Sequence, residues 1–224
     1  LEHRGISFIS IKERFDTTTP IGKAMLYFSG VLAQMEREQI AERVRDNMLM
    51  LARSGRWLGG NTPLGFVSKK LEKEDSEGKR RISCYLAEKP EELELVKFMF
   101  AYFLKEQSLT KVTEYLWQHR IRTRKGKEFS IMGVRDILTN PVYCMADREA
   151  YEYFYDLGCQ ICIEEDELDN ETGLMSYAKT SSGVYKNQTA EYGAWIISRG
   201  KHRGAISGKD YVSVQQILSR NKKK

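Results

Sequence analysis

The sequence has few features of membrane or secreted proteins: its 224 residues include only four cysteines and four prolines, and no run of about eighteen apolar residues. The lack of such a run excludes an ordinary membrane-spanning helix. The first residues also lack the basic, apolar and small-residue regions of a secretory signal. We therefore expect a cytoplasmic protein that makes no contact with membranes.

The spacing of the four cysteines does not suit a common zinc site. Only Cys159 and Cys162 have a spacing that suits a metal, and no second pair of Cys or His follows them. Cys84 and Cys144 stand alone. We expect reduced structural thiols, with redox use or an adventitious metal site as the alternative. No phosphate-cradling Gly-Lys-Ser/Thr motif or dinucleotide fingerprint is present, so we expect no cofactor and no metal.

The composition is that of a folded protein with a mild basic excess. Hydrophobic residues make up 41% of the chain, which is enough for a core, and the length suggests one or two domains. The net charge of +5 comes from 36 basic and 31 acidic residues. An excess of this size is weak evidence for a nucleic-acid partner, so the positions of the charges matter more than their sum.

A long helix is predicted to begin after a threonine-rich turn. Thr19 is a suitable N-cap, and Pro20 fits the first helical position because its missing N–H costs nothing there. Apolar residues then recur every three or four positions, which is typical of a packed seam. They are Ile21, Met25, Phe28, Leu32 and Met35, followed after a jump of five by Ile40, Val44, Met48 and Leu51. The jump predicts that the two halves of the seam meet different neighbours.

The rest of the chain mixes short strands and helices. The predicted elements are a strand at 5–11, a hairpin from strands near 63–67 and 82–86 around a polar stretch at 69–81, helices from 90 to about 103, from 108, and from 130 to 140, and a helix near 151–155 followed by irregular chain. The three helices that begin at 90, 108 and 130 resemble a helix-turn-helix unit with a long connection. We predict an α+β fold: a long helix with a short leading strand, then a mixed helical and strand domain.

Several motifs resemble those of the large serine recombinases, and they occur in the family's order. They are IKE at 11–13, DTTTPIG at 16–22, AQMERE at 33–38, ERVRD at 42–46, GRWLGG at 55–60, VRDILTNPVY at 134–143, WII at 195–197 and GKHRGAIS at 200–207. The resemblance implies the end of a catalytic domain at 1–54, a linker at 55–62 and a DNA-binding recombinase domain at 63–224. It also implies closing strands at 195–197 and 200–207, and a last helix through 218.

The family cuts both DNA strands with a serine, holds the ends as 5′-phosphoserine links, and rejoins them. The resemblance assigns Arg43 to the active site, Glu42 to its network or assembly, and Arg37 to the dimer and active-site region. It places the nucleophile upstream, so the chain alone is expected not to cleave DNA. It also implies a homodimer or tetramer in the parent protein, assembled on double-stranded attachment-site DNA.

Residues in four mainly basic regions are candidates for DNA contacts, with a structural or solvated role as the alternative for each. The linker is basic and glycine-containing, which suits a minor groove. Arg135 lies on the third helix of the unit, where an arginine can bind a guanine edge. His202 is predicted to be structural or to face phosphate. The full set is Arg53, Arg56, Trp57, Gly59, Gly60, Arg120, Arg122, Arg124, Lys125, Lys127, Arg135, Lys201 and Arg203.

Two other functions are compatible with the sequence. One is a non-catalytic DNA-binding regulator that uses the long helix as a dimerisation arm and the three-helix unit to recognise DNA. The other is a helical protein-interaction module that does not bind DNA, which the basic run at 120–127 disfavours. A serine with nearby arginines upstream of this sequence distinguishes the enzyme from the regulator.

Overall fold

A computed structural model describes residues 9–10, 15–74, 80–182 and 187–222. The chain divides into two compact units, residues 1–49 and 50–224. The dividing point lies about one helical turn before the domain end that the sequence suggests at residue 54, because the last turn of the long helix groups with the second unit.

The first unit consists of a small strand pair and most of the long helix. Strand β1 (Ile9–Ser10) pairs antiparallel with β2 (Phe15–Asp16), and the rest of the strand predicted at 5–11 lies outside the described residues. Helix α1 (Pro20–Arg53) follows. The Thr19 hydroxyl accepts a hydrogen bond from the Gly22 amide at 3.0 Å, so the predicted cap is confirmed.

The predicted apolar seam of α1 is exposed along residues 20–48. Ile21 is 78% exposed, and Phe28 and Ile40 are each 61% exposed. Side chains of this kind are usually covered, so the two halves of the series, which face different directions around the helix, leave apolar surface exposed on the first unit.

The second unit begins with the last turn of α1, which ends in a Schellman motif. The Arg56 amide donates to the Leu51 carbonyl at 3.4 Å, and the Gly55 amide donates to the Ala52 carbonyl at 3.0 Å. Gly55 has a φ of +66° and lies against β9, where a Cβ atom would be 1.7 Å from the Arg199 carbonyl oxygen. The positive φ and the close approach both require glycine at position 55. Together they end the helix at this position and hold its end against β9.

Among the described residues, the core of the second unit is surrounded by a two-stranded hairpin, the end of α1 and five further helices. The elements are β3 (Phe66–Glu74), β4 (Arg80–Glu88), α2 (Pro90–Glu106), α3 (Leu109–Gln118), α4 (Ile131–Leu138), α5 (Arg148–Asp156) and α6 (Gly208–Lys222). Ser108 and Ser130 cap α3 and α4 as predicted. The two strands of the predicted hairpin extend further into the polar stretch at 69–81 than expected, because backbone pairing continues to Glu74 and Arg80. The loose charged tip predicted at 75–79 lies outside the described residues.

The central sheet corrects two predictions about the C-terminal third. Its strands are β5 (Gln160–Cys162), β6 (Thr172–Tyr177) and β9 (Ile196–Arg203), with β9 in the middle, parallel to β5 and antiparallel to β6. A short pair, β7 (Thr180–Ser182) and β8 (Asn187–Thr189), adjoins it. The region predicted as irregular thus supplies four short strands, β5 to β8, and the two expected closing strands are one continuous strand.

One buried apolar cluster holds the helices, the hairpin and the sheet of the second unit together. Phe66, Phe100, Phe103, Tyr143 and Tyr211 are almost completely buried within it. Aromatic pairs such as Phe66 and Tyr143, whose ring centroids are 6.0 Å apart, fasten the hairpin to the helices. In the described part of the chain, no helix combines the length and apolar character needed to cross a membrane.

Candidate nucleic-acid interface

The linker, residues 55–62, is held at both ends and exposed in the middle. The Tyr177 hydroxyl donates to the Arg56 carbonyl, and Trp57 packs against the core cluster. The Trp57 indole N–H is buried without a hydrogen-bond partner. Gly59 and Gly60 have φ values of +93° and +96°, and a Cβ atom added at either position would meet no heavy atom within 4 Å. Their conformation therefore requires glycine, while the space around them is open.

Arg124 fastens the end of the linker to α2. Its guanidinium donates to the Thr62 carbonyl and hydroxyl, to the Pro63 and Phe66 carbonyls, and to both carboxylate oxygens of Glu92. Each of the five N–H groups of an arginine thus has an acceptor within the protein. The prediction that Arg124 contacts phosphate is not supported, because the fold uses all of its donors.

Glu92 is the anionic centre of this network. It accepts from Arg124, from the Lys89 ammonium at 2.7 Å and from the Gly65 amide at 2.9 Å, and its side chain is 13% exposed. The hydrogen bond from Arg124 makes the largest contribution to a pKa lowered to about 2, against the opposing effect of burial. The carboxylate therefore stays charged and keeps the linker end in place at neutral pH.

The α3–α4 loop, residues 119–130, is an ordered turn. The Trp117 indole N–H donates to the Phe129 carbonyl at 2.8 Å and closes its base. Inside the loop, the Thr123 amide donates to the Lys127 carbonyl at 2.8 Å, and Gly126 has a φ of +72°. Lys125 and Lys127 project from this turn with exposed side chains. The loop therefore presents two cations from a defined backbone.

The loop also contains two other arginines, Arg122 and Arg120, which differ in their contacts. The Arg122 guanidinium donates to the Gly126 carbonyl at 3.1 Å and lies 3.9 Å from the Glu128 carboxylate, with both partners more than half exposed. Such an exposed pair is weak and leaves other N–H groups of Arg122 for solvent or an anion. Arg120 is exposed, with a φ of +53° at the end of α3.

A groove of about 520 Å³ brings the linker, the loop and the start of α4 together. The N-terminal turn of α4 contributes Ser130 and Gly133, where the positive end of the helix dipole favours negative charge. We call this the linker–loop groove. Its lining consists of Asn61, Thr62, Leu64, Thr123, Arg124, Lys125, Lys127, Glu128, Phe129, Ser130, Gly133 and Ile137.

Arg135 does not share this groove. Positions 133 and 135 differ by about 200° around a helix, so Arg135 lies on the other side of α4. It is half-buried and lines a groove of about 620 Å³ with α5 and α6. The other polar residues of this groove could not be predicted from the sequence, because α6 lies about 80 positions further along the chain. They include Gln215, Gln216, Arg220 and Lys222.

The residues of β9 have mainly structural contacts. Arg203 pairs with Glu171, while Lys201 is exposed. His202 is buried against Phe66, with ring centroids 5.0 Å apart, and its Nε2 lies 2.8 Å from the Val142 carbonyl. Burial lowers the pKa of His202, and the hydrogen bond to Val142 opposes this effect. The structural role predicted for this histidine is confirmed.

The three predicted catalytic residues lie in the first unit. Arg37, Glu42 and Arg43 are all exposed on α1, and Arg53 is exposed at its last turn in the second unit. Arg37 and Arg43 lie about 120° apart around the helix axis, so their side chains do not converge. The described residues of this unit therefore contain no assembled active site built from these three side chains.

The four cysteines are free thiols. Burial raises the pKa of Cys144 well above its usual value and that of Cys159 to about 11, so neither thiol is activated at neutral pH. Over the described ranges, no group of three or more His, Cys, Asp and Glu side chains is arranged to hold a metal ion.

Comparison with known proteins gives two family matches. The model named "Recombinase" matches residues 90–221, and the model "Resolvase, N terminal domain" matches residues 1–57. A DNA-invertase of Escherichia phage P1 is 43% identical over 63 residues, covering 28% of this chain and 33% of that protein. The serine recombinase gin of Escherichia phage Mu is 40% identical over 63 residues, covering 28% and 32%. The chain thus spans about a third of the length of these curated relatives.

Two solved structures are similar at low sequence identity. One is a crystal structure of an LSR–DNA complex, with a TM-score of 0.45, 17% identity, and coverage of 80% of this chain and 39% of that one. The other, described under sequence requirements of the Listeria innocua prophage attP site, has a TM-score of 0.44, 16% identity and coverage of 80% and 52%. Since the recombinase model matches more than half of the chain and the resolvase model matches its start, the chain belongs to the recombinase family.

Proposed function

We propose that this chain binds duplex DNA of an attachment site through the linker–loop groove. The observation that carries the proposal is that three separate sequence regions meet at this groove: the linker, the α3–α4 loop and the N-terminal turn of α4. Each region offers groups that favour an anion, and a duplex is the polyanion on which a recombinase acts. The fold positions them before DNA arrives.

The two loop lysines supply the electrostatic part of this interface. Lys125 and Lys127 are exposed, and no ion pair involves either of them in the described parts of the chain. Phosphate contacts of this kind fix the position of a protein on DNA without selecting its sequence. Because the backbone of the turn is hydrogen-bonded internally, little ordering entropy opposes the contact.

The middle of the linker supplies a second part of the proposed interface. Gly59 and Gly60 are exposed, and the basic residues Arg53 and Arg56 precede them. The glycine backbone of the linker is narrow enough to enter a minor groove of the DNA. The α3–α4 loop would then lie on the adjacent phosphates. Arg135 remains a proposed base contact from the other side of α4.

We also propose that recombination requires more than this chain. Cutting and rejoining through 5′-phosphoserine needs a serine together with converging arginines, and Arg37, Glu42 and Arg43 stand apart on an exposed helix. Their proposed roles depend on further protein packed against α1. The exposed apolar seam of α1 supports assembly of the active enzyme as a homodimer or tetramer. A regulator without catalysis is the second candidate, since it needs the same interface.

Replacement of Lys125 and Lys127 by alanine tests the proposed interface. We expect weaker binding to duplex DNA and a plot of log affinity against log salt concentration that is shallower by about 2, since each lost phosphate contact removes about 0.9. Fluorescence anisotropy with a labelled duplex across a salt series measures both quantities. A denaturing gel of the same mixtures is expected to contain no covalent protein–DNA adduct.

The matched control is Lys105→Ala together with Lys97→Ala on α2, two lysines outside the linker–loop groove. This control is expected to keep the parent salt dependence. Equal effects of the two double variants would show that binding follows net charge and would contradict the proposed interface. A covalent adduct formed by the parent chain would contradict the proposal that cleavage needs further protein.

A further inference from the structure

A second groove lies on the other side of the linker. It has a volume of about 300 Å³, and its walls come from the linker, the turn that follows α4 and the end of β6. Asn61 lines this groove as well as the linker–loop groove, so the linker forms the wall between the two. We call it the Lys179 groove, after the cation in its lining.

Lys179 reaches this groove because the chain turns sharply after β6. Ala178 has a φ of +55°, a left-handed conformation that few residues other than glycine adopt, and Lys179 comes directly after it. The strained turn brings the Lys179 ammonium 3.3 Å from the Oδ1 atom of Asn140. A backbone held in a costly conformation is a feature often found at functional sites.

The side chain of Lys179 is half-buried, and its ammonium has few partners. It has three N–H donors, and the one hydrogen bond that the structure describes is the long contact to the neutral Asn140 amide. Across the described residues, no carboxylate lies within ion-pair distance of it, and Asp136 acts only through its more distant charge. Burial lowers the pKa of Lys179, so the fold disfavours the charged form that an anion would restore.

The geometry of the neighbouring walls fits a phosphate group. The Tyr177 hydroxyl is occupied by the Arg56 carbonyl, and the Asn140 oxygen also accepts from the Val142 amide at 3.4 Å. These neighbouring groups are therefore engaged, while the Lys179 ammonium keeps N–H groups without a partner among the described residues. The exposed backbone of Gly59 borders the same groove with no side chain in the way.

We propose that the Lys179 groove receives a phosphodiester group of the bound DNA, so that phosphates lie on both sides of the linker. This inference rests on the proposed DNA binding and adds a contact from a part of the chain that the sequence motifs do not cover. The linker would then lie between two DNA contacts, one at the α3–α4 loop and one at Lys179. The arrangement fixes the linker's depth on the duplex.

Lys179→Met tests the contact while keeping most of the side-chain volume. We expect a salt dependence shallower by about 0.9 in the log–log slope, the value for one lost phosphate contact, and weaker binding at low salt that approaches the parent affinity at high salt. The melting temperature is expected to be equal or higher, because the substitution removes a desolvated charge. Lys105→Met, on the exposed side of α2, is the control and is expected to leave the slope unchanged.

The outcomes separate this inference from the proposed function. If the parent chain binds no duplex at low salt, the proposed function itself is overturned. If the parent binds and Lys179→Met keeps the parent slope, the Lys179 contact is overturned and the interface at the α3–α4 loop stands. A lower melting temperature with an unchanged slope would identify Lys179 as structural, which also overturns the inference.

A measurement on the unmodified chain covers the case in which Lys179→Met does not fold. Acetylation of lysines near neutral pH is followed by mass spectrometry, with and without duplex. The lowered pKa leaves more of the Lys179 amine uncharged and reactive, and DNA binding is expected to reduce its labelling several-fold. Equal labelling of Lys179 in both states would overturn the inference.

Discussion

Arg124 differs from the basic residues around it in its contacts within the protein. In the sequence it belongs to the densest basic run, from Arg120 to Lys127. In the structure its five N–H groups all have protein acceptors, whereas Lys125 and Lys127 remain exposed. Charge patterns in a sequence count cations but do not show which ones the fold has already paired. Glu92, the partner of Arg124, lies more than thirty positions away.

The ion pair between Arg124 and Glu92 predicts a defined loss of stability in acid. The pKa of Glu92 is about 2 in the folded chain, against an ordinary value of 4.5. The contribution of the charged Glu92 to the unfolding free energy is therefore fully present above pH 4.5. It is lost progressively as the pH falls from 4.5 to about 2. The full contribution corresponds to about 3 kcal/mol of unfolding free energy.

Glu92→Gln is expected to lower the unfolding free energy at pH 7 by about that amount and to flatten its pH dependence between 4.5 and 2. Urea unfolding followed by tryptophan fluorescence measures it, since all three tryptophans lie in the second unit. Glu94→Gln, whose side chain is 71% exposed in a pair with Lys97, is the control and should change little. A parent-like acid profile in Glu92→Gln would contradict the role assigned to the pair.

At the scale of elements, local signals are sufficient to predict the helix starts and insufficient to predict the sheet. The caps at Thr19, Ser108 and Ser130 are predictable because each depends on residues within one turn. Strands β5 and β6 escape prediction because their pairing partners on β9 lie between 19 and 36 positions further on, and short strands carry little pattern of their own. The glycines after α1 predict where that helix ends, but they do not predict its attachment to β9.

The contact between the end of α1 and β9 predicts an unusually sensitive glycine. Alanine at position 55 would have to adopt a φ of +66° and would bring its Cβ to 1.7 Å from the Arg199 carbonyl oxygen. We expect Gly55→Ala to lower the unfolding free energy by at least about 3 kcal/mol, the sum of the conformational cost and the displaced backbone. Urea unfolding of the second unit, followed by tryptophan fluorescence, measures the change.

Gly126→Ala provides the matched comparison, because Gly126 has a similar φ of +72° but no heavy atom within 4 Å of its Cβ position. It should cost only the conformational part, about 1 kcal/mol. If both substitutions cost the same, the close approach of Gly55 to β9 has no energetic weight, and the expected sensitivity of position 55 is wrong.

For the whole molecule, the sequence motifs predict the family and the order of its parts, and the family models confirm the family. The site is predicted less completely. The charges of the linker and the α3–α4 loop mark both segments, but their meeting at one groove depends on Arg124 and on the packing of α2. Lys179 escapes prediction because a single lysine in a polar segment has no pattern, and only the fold places it beside the linker.

The central claim, that this chain recognises DNA through the linker and the recombinase domain together, is tested most directly by selecting duplexes from a random pool at physiological salt. We expect an enriched motif longer than the footprint of one helix-turn-helix unit, because the proposed interface puts the linker and the loop on the same half-site. Arg135→Ala is expected to lower the enrichment more than the total affinity. Binding without enrichment, or no binding, would contradict the claim.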